Sequence, residues 1–338
     1  MSNSTSLNQL IVKYKFNKSI YENLIPEFND GFTNYEIVDE NIDSGIVTRS
    51  IYSDDLPTSI NFTSQTSLVE VNYLNSSELT SAYNLFSGCS NLSYVNLSDS
   101  DFSKVDTIER MFNSCSNLIN IDGLNELNMS NVGNMGGIFS DCSKITELNV
   151  KDWDVSKVTN FGAAFRRCKA ITTIDLSNWD TSNAVLMSGM FTSCSKLTSI
   201  DISHFKTSKV TTVNQMFYDC GKLTSLNFFK YLNDNVDTLY LFGKCNSLNK
   251  VTMNDSDYKS ANKVISALLS RTSADLGFLE LLNIDDISQV AIESAQSKGW
   301  VILKDNIETN VINTIVGDQP CSFIMNGKSI KIICPVKR

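Results

Sequence analysis

The candidate binding residues of this chain are six Asp and Asn side chains that occupy one position of a repeated sequence unit. Each lies between two apolar positions of a predicted strand, so its side chain points to the opposite, exposed face. Adjacent parallel strands lie about 4.8 Å apart, so the six would form a ladder of carboxylates and amides. Such a ladder could hydrogen-bond sugar hydroxyls or coordinate cations through oxygen ligands. We call these residues the polar ladder: Asn96, Asp122, Asn149, Asp175, Asp201 and Asn227.

A second interpretation of the polar ladder needs no ligand. The solvent face of any repeat must be polar, and Asp and Asn recur there because the unit itself recurs. Exposed aromatic residues, on which a sugar ring would stack, are nearly absent from the predicted face, and Tyr94 is the exception. The sequence leaves both interpretations open.

Residue types that carry catalysis or bind metals and cofactors are scarce. His204 is the only histidine, so a histidine-dependent triad or a multi-histidine zinc site is not indicated. CxxC and HExxH spacings do not occur, nor do the phosphate-binding patterns GxxxxGKS/T and GxGxxG. We therefore predict a binding protein with no catalytic residue, no metal site and no cofactor, in which His204 is an ordinary loop residue.

The elements that position the polar ladder are seven copies of a unit built around Phe-x-x-Cys. Successive cysteines are 25 to 27 residues apart, a period typical of stacked repeat architectures. After each cysteine the pattern LxxLxL predicts a short strand. Before it, apolar residues have helical spacing, as in Val158, Phe161, Phe165 and Cys168. Each unit is therefore predicted to contain a strand, a loop and one short helix.

The periodic cysteines are predicted to be reduced core residues rather than a disulfide framework. They share a face with the phenylalanines, and free cysteine is among the most buried residue types. Cys321 and Cys334 fall outside the period, and whether they pair is open. The periodic cysteines are Cys89, Cys115, Cys142, Cys168, Cys194, Cys220 and Cys245.

The fullest units add a tryptophan and a fixed loop, beginning at Trp153 and Trp179. Over residues 64–255 the pattern Leu-Ser-x-Trp-Asp-Thr-Ser-x-Val-x-x-Met-x-x-Met-Phe-x-x-Cys resembles the BspA-type, DUF285-like leucine-rich repeat of bacterial surface proteins, which is also common in phage genomes. The resemblance implies a solenoid lined on one side by short parallel strands. It also implies an extracellular or particle-surface binding module without enzymatic activity. We interpret both tryptophans as packing residues.

Charge and hydropathy narrow the range of partners. The net charge of −9 and the pI near 4.8 argue against nucleic acid and against an anionic membrane surface. No apolar run of 18 residues occurs, so no membrane span is predicted. Residues 1–20 lack the apolar segment of a signal peptide. That absence conflicts with a secreted surface protein. Either the sequence is that of a mature chain, or the protein stays inside the cell, or it reaches the outside by lysis as part of a phage particle.

The predicted fold class is α/β: a leucine-rich-repeat solenoid of parallel short strands and short helices with a period of about 26 residues. Residues 1–63 are predicted to form a β-rich N-terminal module that could serve for attachment, and residues 64–255 the repeats. Residues 256–304 would be C-terminal capping units. Residues 305–338 would be a β-hairpin tail with its turn at Asn326-Gly327.

The predicted function is non-enzymatic binding at the surface of a phage virion, as a fibre or decoration protein that aids host attachment. The partners would be a host surface protein or glycan, and a virion structural protein contacted through the N-terminal module. An oligomer is possible. The alternative is a bacterial or protist cell-surface adhesin exported by another route. The sequence does not identify the ligand, the host or the position on a particle.

Overall fold

A computed structural model gives the fold of this chain over several segments. They are residues 9–17, 24–28, 35–42, 46–53, 55–254, 258–269, 277–282, 289–304, 322–325 and 328–331. Cys321, Cys334 and the predicted turn at Asn326-Gly327 lie outside the described residues.

The strands before and within the first repeats form one sheet and a small ribbon. They are β1 (Gln9–Asn17), β2 (Glu27–Phe28), β3 (Glu36–Ile42), β4 (Ile46–Ser53), β5 (Ile60–Asn61), β6 (Leu68–Leu74), β7 (Tyr94–Asn96) and β8 (Asn120–Asp122). The sheet has the order β3-β4-β1-β6-β7-β8, and β2 pairs with β5. A single 3₁₀ turn, Leu124–Glu126, follows β8.

The later strands form a parallel sheet with two helices beside it. These elements are β9 (Ser199–Asp201), β10 (Ser225–Phe228), β11 (Lys250–Asn254), α1 (Tyr258–Ala267), β12 (Gly277–Leu282), α2 (Gln289–Ser297) and β13 (Trp300–Lys304). Each strand from β9 to β13 pairs with the next in parallel. Two further strands, β14 (Ser322–Met325) and β15 (Lys328–Lys331), pair antiparallel with each other.

The repeats wind into a β-solenoid of about eight turns with few helices and a period of about 26 residues. One side of the solenoid, the strand face, carries the strands that follow each cysteine. Another side, the turn face, carries the Phe-x-x-Cys segments. There, single parallel bridges connect successive turns through Ser81, Thr107, Asn134, Asn160, Leu186, Thr212 and Asp237. The predicted repeat period and solenoid are confirmed.

The prediction of one short helix in each repeat is wrong. In the turn of Phe165, Ala163 and Arg167 have positive φ angles of 55° and 57°, whereas every residue of an α-helix has a negative φ. Alternate N–H groups reach the next turn: Ala163 donates to the carbonyl of Ser188 at 2.9 Å, and Phe165 to that of Met190 at 2.9 Å. The N–H groups between them donate to the carbonyl three residues earlier and so close four-residue β-turns within the segment.

The helical spacing was misleading for a physical reason. Successive tight turns also return a side chain to the core every three or four residues, so Val158, Phe161, Phe165 and Cys168 are all buried without a helix. The backbone hydrogen bonds are made between turns rather than along the segment. Periodicity reports which side chains point inward, and it does not report where the backbone groups find their partners.

The predicted repeat strands form at β6 to β8 and at β9 to β11, but not in the two units between them. Residues 148–150 and 174–176 are not strands, although they carry the same LxxLxL pattern. The strand face therefore consists of two sheets. They are separated by two turns that form no strand there.

Aromatic stacking runs along the solenoid core. Neighbouring rings from successive turns have centroids 5.4 to 6.2 Å apart and lie within 25° of parallel. The stacked residues are Phe62, Phe86, Phe112, Phe139, Phe165, Phe191, Phe217 and Phe242. Because each ring occupies the same position in its turn, the stack reproduces the sequence period and holds the turns in register.

The seven periodic cysteines are free and buried, as predicted. Each also has a role that the sequence did not suggest. Its thiol donates to the carbonyl of the Phe one turn earlier, as from Cys168 Sγ to Phe139 O at 3.1 Å, and the seven distances span 2.8 to 3.1 Å. Burial raises the pKa of five of these thiols: those of Cys115, Cys142 and Cys168 rise well above the ordinary value, and those of Cys89 and Cys194 rise to about 12.

Strand pairing and the core both continue past the ends of the repeats. β1 pairs antiparallel with β4 and with the first repeat strand, β6, so this pairing crosses the predicted boundary at residue 63. One apolar core extends from Val12 to Ile302. The domain boundaries at residues 63, 255 and 304 stay predictions.

Candidate binding face

The polar ladder lies on the strand face. Four of its members are on β7, β8, β9 and β10, while Asn149 and Asp175 lie in the two turns without strands. Asp201 is in register with Asn227 across the β9–β10 pair. Asn96 is half-buried, and the other five side chains are exposed. The structure therefore pairs Asn96 with Asp122 and Asp201 with Asn227, and the break in the backbone ladder lies between these two pairs.

Three side chains of the polar ladder accept hydrogen bonds from the backbone of their own turn. In three units the side-chain Oδ1 accepts a hydrogen bond from the backbone N–H of a serine two residues later. These bonds are Ser98 N to Asn96 Oδ1 at 3.0 Å, Ser177 N to Asp175 Oδ1 at 3.0 Å and Ser203 N to Asp201 Oδ1 at 2.9 Å. The recurring Asx-x-Ser sequence is the signal for this turn, which ends each strand segment.

The second carboxylate oxygens make contacts between turns. Asp201 Oδ2 accepts from Asn227 Nδ2 at 2.9 Å, and Asp175 Oδ2 lies 3.0 Å from Lys151 Nζ. Hydrogen bonds from Ser177 and the contact with Lys151 lower the pKa of Asp175 to about 2. Burial acts to raise the pKa of Asp201, but the bonds from Asn227 and Ser203 outweigh it and lower the value. Both groups are therefore fixed carboxylates at neutral pH.

The N-terminal part of the row is organised by Asp122. Its two oxygens accept from the Tyr94 hydroxyl at 2.6 Å and from Asn120 Nδ2 at 2.7 Å. The hydrogen bond to Asp122 raises the pKa of Tyr94 to about 12, because the bond holds the phenolic proton in place. Tyr94, which is half-buried, is thus oriented by the polar ladder itself.

A shallow cleft of about 490 Å³ opens where the strand ladder is interrupted. The Ile202 N–H donates to the carbonyl of Asn227 at 2.9 Å, but among the described residues no such bond joins Leu176 to the next turn. Carboxylates, hydroxyls and backbone groups therefore line the cleft and are open to solvent. It is lined by Thr173, Ile174, Asp175, Leu176, Ser177, Asp201, Ser203 and His204.

His204 lies in this cleft for a reason that the sequence analysis missed. In two earlier turns a tryptophan Nε1 donates to a backbone carbonyl one turn before it: Trp153 to Leu124 and Trp179 to Val150, both at 2.8 Å. The next unit has Phe205, which has no N–H to donate, and the adjacent His204 contacts the carbonyl of Leu176 through Nε2 at 2.9 Å.

The side chain of His204 therefore replaces an indole donor. The signal was available in the sequence, where a tryptophan position becomes phenylalanine beside the only histidine. Trp153 and Trp179 are each only 2% exposed, which confirms their interpretation as packing residues and adds the hydrogen bond.

Two kinds of feature are not found among the residues that the structure describes. No group of three or more His, Cys, Asp or Glu side chains is placed to hold a metal ion. None of the described helices is long and apolar enough to cross a membrane. On the strand face, the chemistry present is that of fixed carboxylates, amides and hydroxyls, which suits hydrogen bonding to a polar ligand.

Comparison with known proteins identifies the repeat family. No curated protein matches the chain. One family model, described as "Mycoplasma protein of unknown function, DUF285", matches residues 80–174 and residues 138–255. Together the two matches cover just over half of the 338 residues, and they coincide with the turns that carry the stacked phenylalanines and cysteines. The chain therefore belongs to the DUF285 family, a family of BspA-like repeats.

Proposed function

We propose that this protein is a non-enzymatic binding protein of the leucine-rich-repeat type, whose polar ladder contacts a protein or glycan on a host surface. One observation carries the proposal. Five of the six ladder side chains are exposed on a backbone fixed by turn-to-turn stacking, and the ladder's aspartates at 175 and 201 are held ionised. Side chains fixed in this way lose little conformational entropy when they bind.

The same groups favour binding over catalysis. A general acid or base needs a pKa near the working pH, whereas the pKa values of Asp175 and Asp201 are shifted downwards. The nearby His204 contacts the carbonyl of Leu176 through one ring nitrogen. The cleft therefore offers permanent hydrogen-bond acceptors, which suit recognition of hydroxyl or amide groups.

The proposed setting is the surface of a phage virion, where the protein would serve as a fibre or decoration protein that aids attachment. The N-terminal strands would contact a virion structural protein. Among the described residues β3 pairs only with β4, so it is the outer strand of its sheet. An outer strand can pair with a strand of a partner chain.

A second candidate is a cell-surface adhesin of a bacterium or protist. The family description names Mycoplasma, a bacterium, and gives no function or location. Both settings use the same strand face, and they differ in what holds the protein in place.

Charge-removing variants of the polar ladder test the binding role. Asp175→Asn and Asp201→Asn keep the Oδ1 that accepts the serine N–H, so the turns are retained while the charges are lost. Adsorption of the purified protein to host cells should fall by at least about tenfold in the double variant. Asp154→Asn is the control, because Asp154 makes the same turn with Ser156 at a different position of the repeat. Unchanged adsorption of the double variant would remove the ladder from consideration.

Location distinguishes the two settings. Mass spectrometry of purified virions should detect this chain in a constant ratio to the major capsid protein if it is a virion component. Its recovery from the surface fraction of uninfected cells, and its absence from virions, would favour the adhesin.

A further inference from the structure

The turn face carries a second concave surface, which the polar ladder does not use. It is a groove of about 560 Å³ that crosses five successive turns. We call it the turn-face groove. The lining residues used below include Arg110, Asn113, Gly137, Asn160, Arg166, Leu186 and Ser188. With about 4.8 Å between hydrogen-bonded neighbours, five turns give a groove roughly 19 Å long.

Small residues form the floor of the groove and set its shape. Gly137 has a φ of 64°, and a Cβ at this position would lie 3.3 Å from Cγ of Arg110. The side chain of Arg110 therefore lies against the floor. Alternate backbone N–H groups beneath donate to the next turn, as in Gly137 N to Gly162 O at 2.8 Å and Ala163 N to Ser188 O at 2.9 Å. The groove therefore offers no open strand edge to an extended peptide.

The charges of the groove differ from those of the molecule. The whole chain carries a net charge of −9, yet the charged residues lining the groove are two arginines and one glutamate. Arg166 makes no side-chain hydrogen bond or ion pair with any described residue, whereas its neighbour Arg167 is 3.3 Å from Asp141. Arg110 has only a distant contact with Glu109, at 3.9 Å.

An arginine without a carboxylate partner in a concave surface is a binding group for an anion. Its planar guanidinium pairs bidentately with carboxylate or phosphate oxygens, and a concave site concentrates its field. Arg110 and Arg166 are two turns apart, so they would contact two anionic groups separated by about 10 Å. A ligand with repeated negative charges fits this spacing.

The other lining groups identify the rest of the ligand. Amides and hydroxyls surround the two arginines, including those of Asn113 and Asn160, and they can both donate to and accept from sugar hydroxyls. Leu186 is 40% exposed and offers an apolar surface on which the C–H groups of a sugar ring can pack. We propose that the turn-face groove binds an anionic oligosaccharide several units long, with Arg110 and Arg166 contacting its acidic groups.

This site is separate from the polar ladder, so the two proposals can fail independently. The test is a glycan array that carries uronate-containing, sialylated, phosphorylated and neutral oligosaccharides, probed with the full chain. Signal is expected on acidic glycans and not on their neutral counterparts. Solution competition with poly-glutamate and with single-stranded DNA tells whether any polyanion suffices. If either polyanion displaces the bound protein as strongly as the free acidic glycan does, the proposal is overturned.

Variants assign the binding to the groove. Arg166→Ala and Arg110→Ala should each weaken acidic-glycan binding by at least about tenfold, as expected for the loss of a charge-assisted bond. Arg167→Ala is the matched control, with the same residue type and the same change of charge outside the groove, and it should change binding less than about threefold. Ser188→Trp fills the groove without altering charge and should abolish binding.

Each variant should have the same melting temperature as the parent chain, which shows that a loss of binding is not caused by unfolding. The proposal fails if no acidic glycan binds, or if the parent chain and the filled variant bind equally. It also fails if Arg167→Ala weakens binding as much as Arg166→Ala does.

Discussion

At the scale of single residues, the sequence predicted which side chains are buried but not what their polar atoms do. The burial of Cys168 followed from its place on the apolar face. Its hydrogen bond to the carbonyl of Phe139 did not, because the acceptor belongs to another turn, 29 residues away. The same holds for His204, whose partner Leu176 is 28 residues distant. Contacts between turns depend on which residues of successive turns lie next to each other. The repeat period gives this register only approximately.

The cysteines predict a steep loss of stability at alkaline pH. Burial raises the pKa of five of them in the folded chain, to about 12 for Cys89 and Cys194, while in the unfolded chain they ionise near about 8.5. Stability is therefore fully present below about pH 8.5 and falls as the pH rises towards the folded values. Each thiol contributes a loss of about 1.4 kcal/mol per pH unit.

With five such thiols, we expect cooperative unfolding between about pH 9 and pH 10.5, which circular dichroism in the presence of reductant would follow. Cys194→Ala removes one of these five ionisations, so the stability of the variant should fall less steeply with pH in urea titrations. A transition with the same pH dependence in the variant would show that the thiols do not drive it.

At the scale of elements, the strands were easier to predict than the turns. The LxxLxL pattern placed β9, β10 and β11 correctly, since alternate burial is a direct property of a strand. It failed at residues 148–150 and 174–176, where the same pattern exists without a ladder. The helix prediction failed because three- and four-residue spacing is shared by helices and by successive tight turns.

The turn conformation predicts opposite effects of glycine at two neighbouring alanines. Ala163 has a φ of 55°, which costs a residue with a Cβ about 1 kcal/mol, so Ala163→Gly should stabilise the chain or leave it unchanged. Ala164 is buried and is not among the residues with positive φ, so Ala164→Gly should destabilise by about 1 kcal/mol or more. Urea unfolding measures both. Equal destabilisation by the two substitutions is the result that a helix would give.

The exchange of a tryptophan donor for a histidine donor predicts energetic coupling between His204 and Phe205. His204→Ala leaves the carbonyl of Leu176 without its side-chain partner and should cost about 1–2 kcal/mol. In a Phe205→Trp background the new indole can donate to the same carbonyl, as Trp179 does in the preceding unit. The cost of His204→Ala should then fall close to zero. A double-mutant cycle measures the difference, and additive costs would rule out the replacement.

At the scale of the whole molecule, the repeat period was sufficient to predict a solenoid, because each turn can bury its apolar face only against its neighbours. The ends could not be predicted in the same way. Nothing in the sequence of β1 indicates that it pairs with β6, since that pairing joins segments about 55 residues apart. Of the candidate site, the polar ladder was predictable from periodicity. The cleft was not, because it depends on strands that fail to form.

The pairing of β1 with the first repeat strand predicts what an N-terminal deletion does. Val12, Tyr14 and Phe16 on β1 are buried in the same core as the first turns. Removal of residues 1–53 therefore uncovers one edge of β6 and part of that core. In a solenoid each turn is stabilised mainly by its neighbours, so the damage should decrease with distance from the deletion. Hydrogen exchange should show lost protection from Phe62 to about Cys115 and retained protection from Cys168 to Cys245. Uniform loss along the chain would mean that the solenoid unfolds as one cooperative unit, and uniform protection would mean that β1 contributes nothing to the first turn.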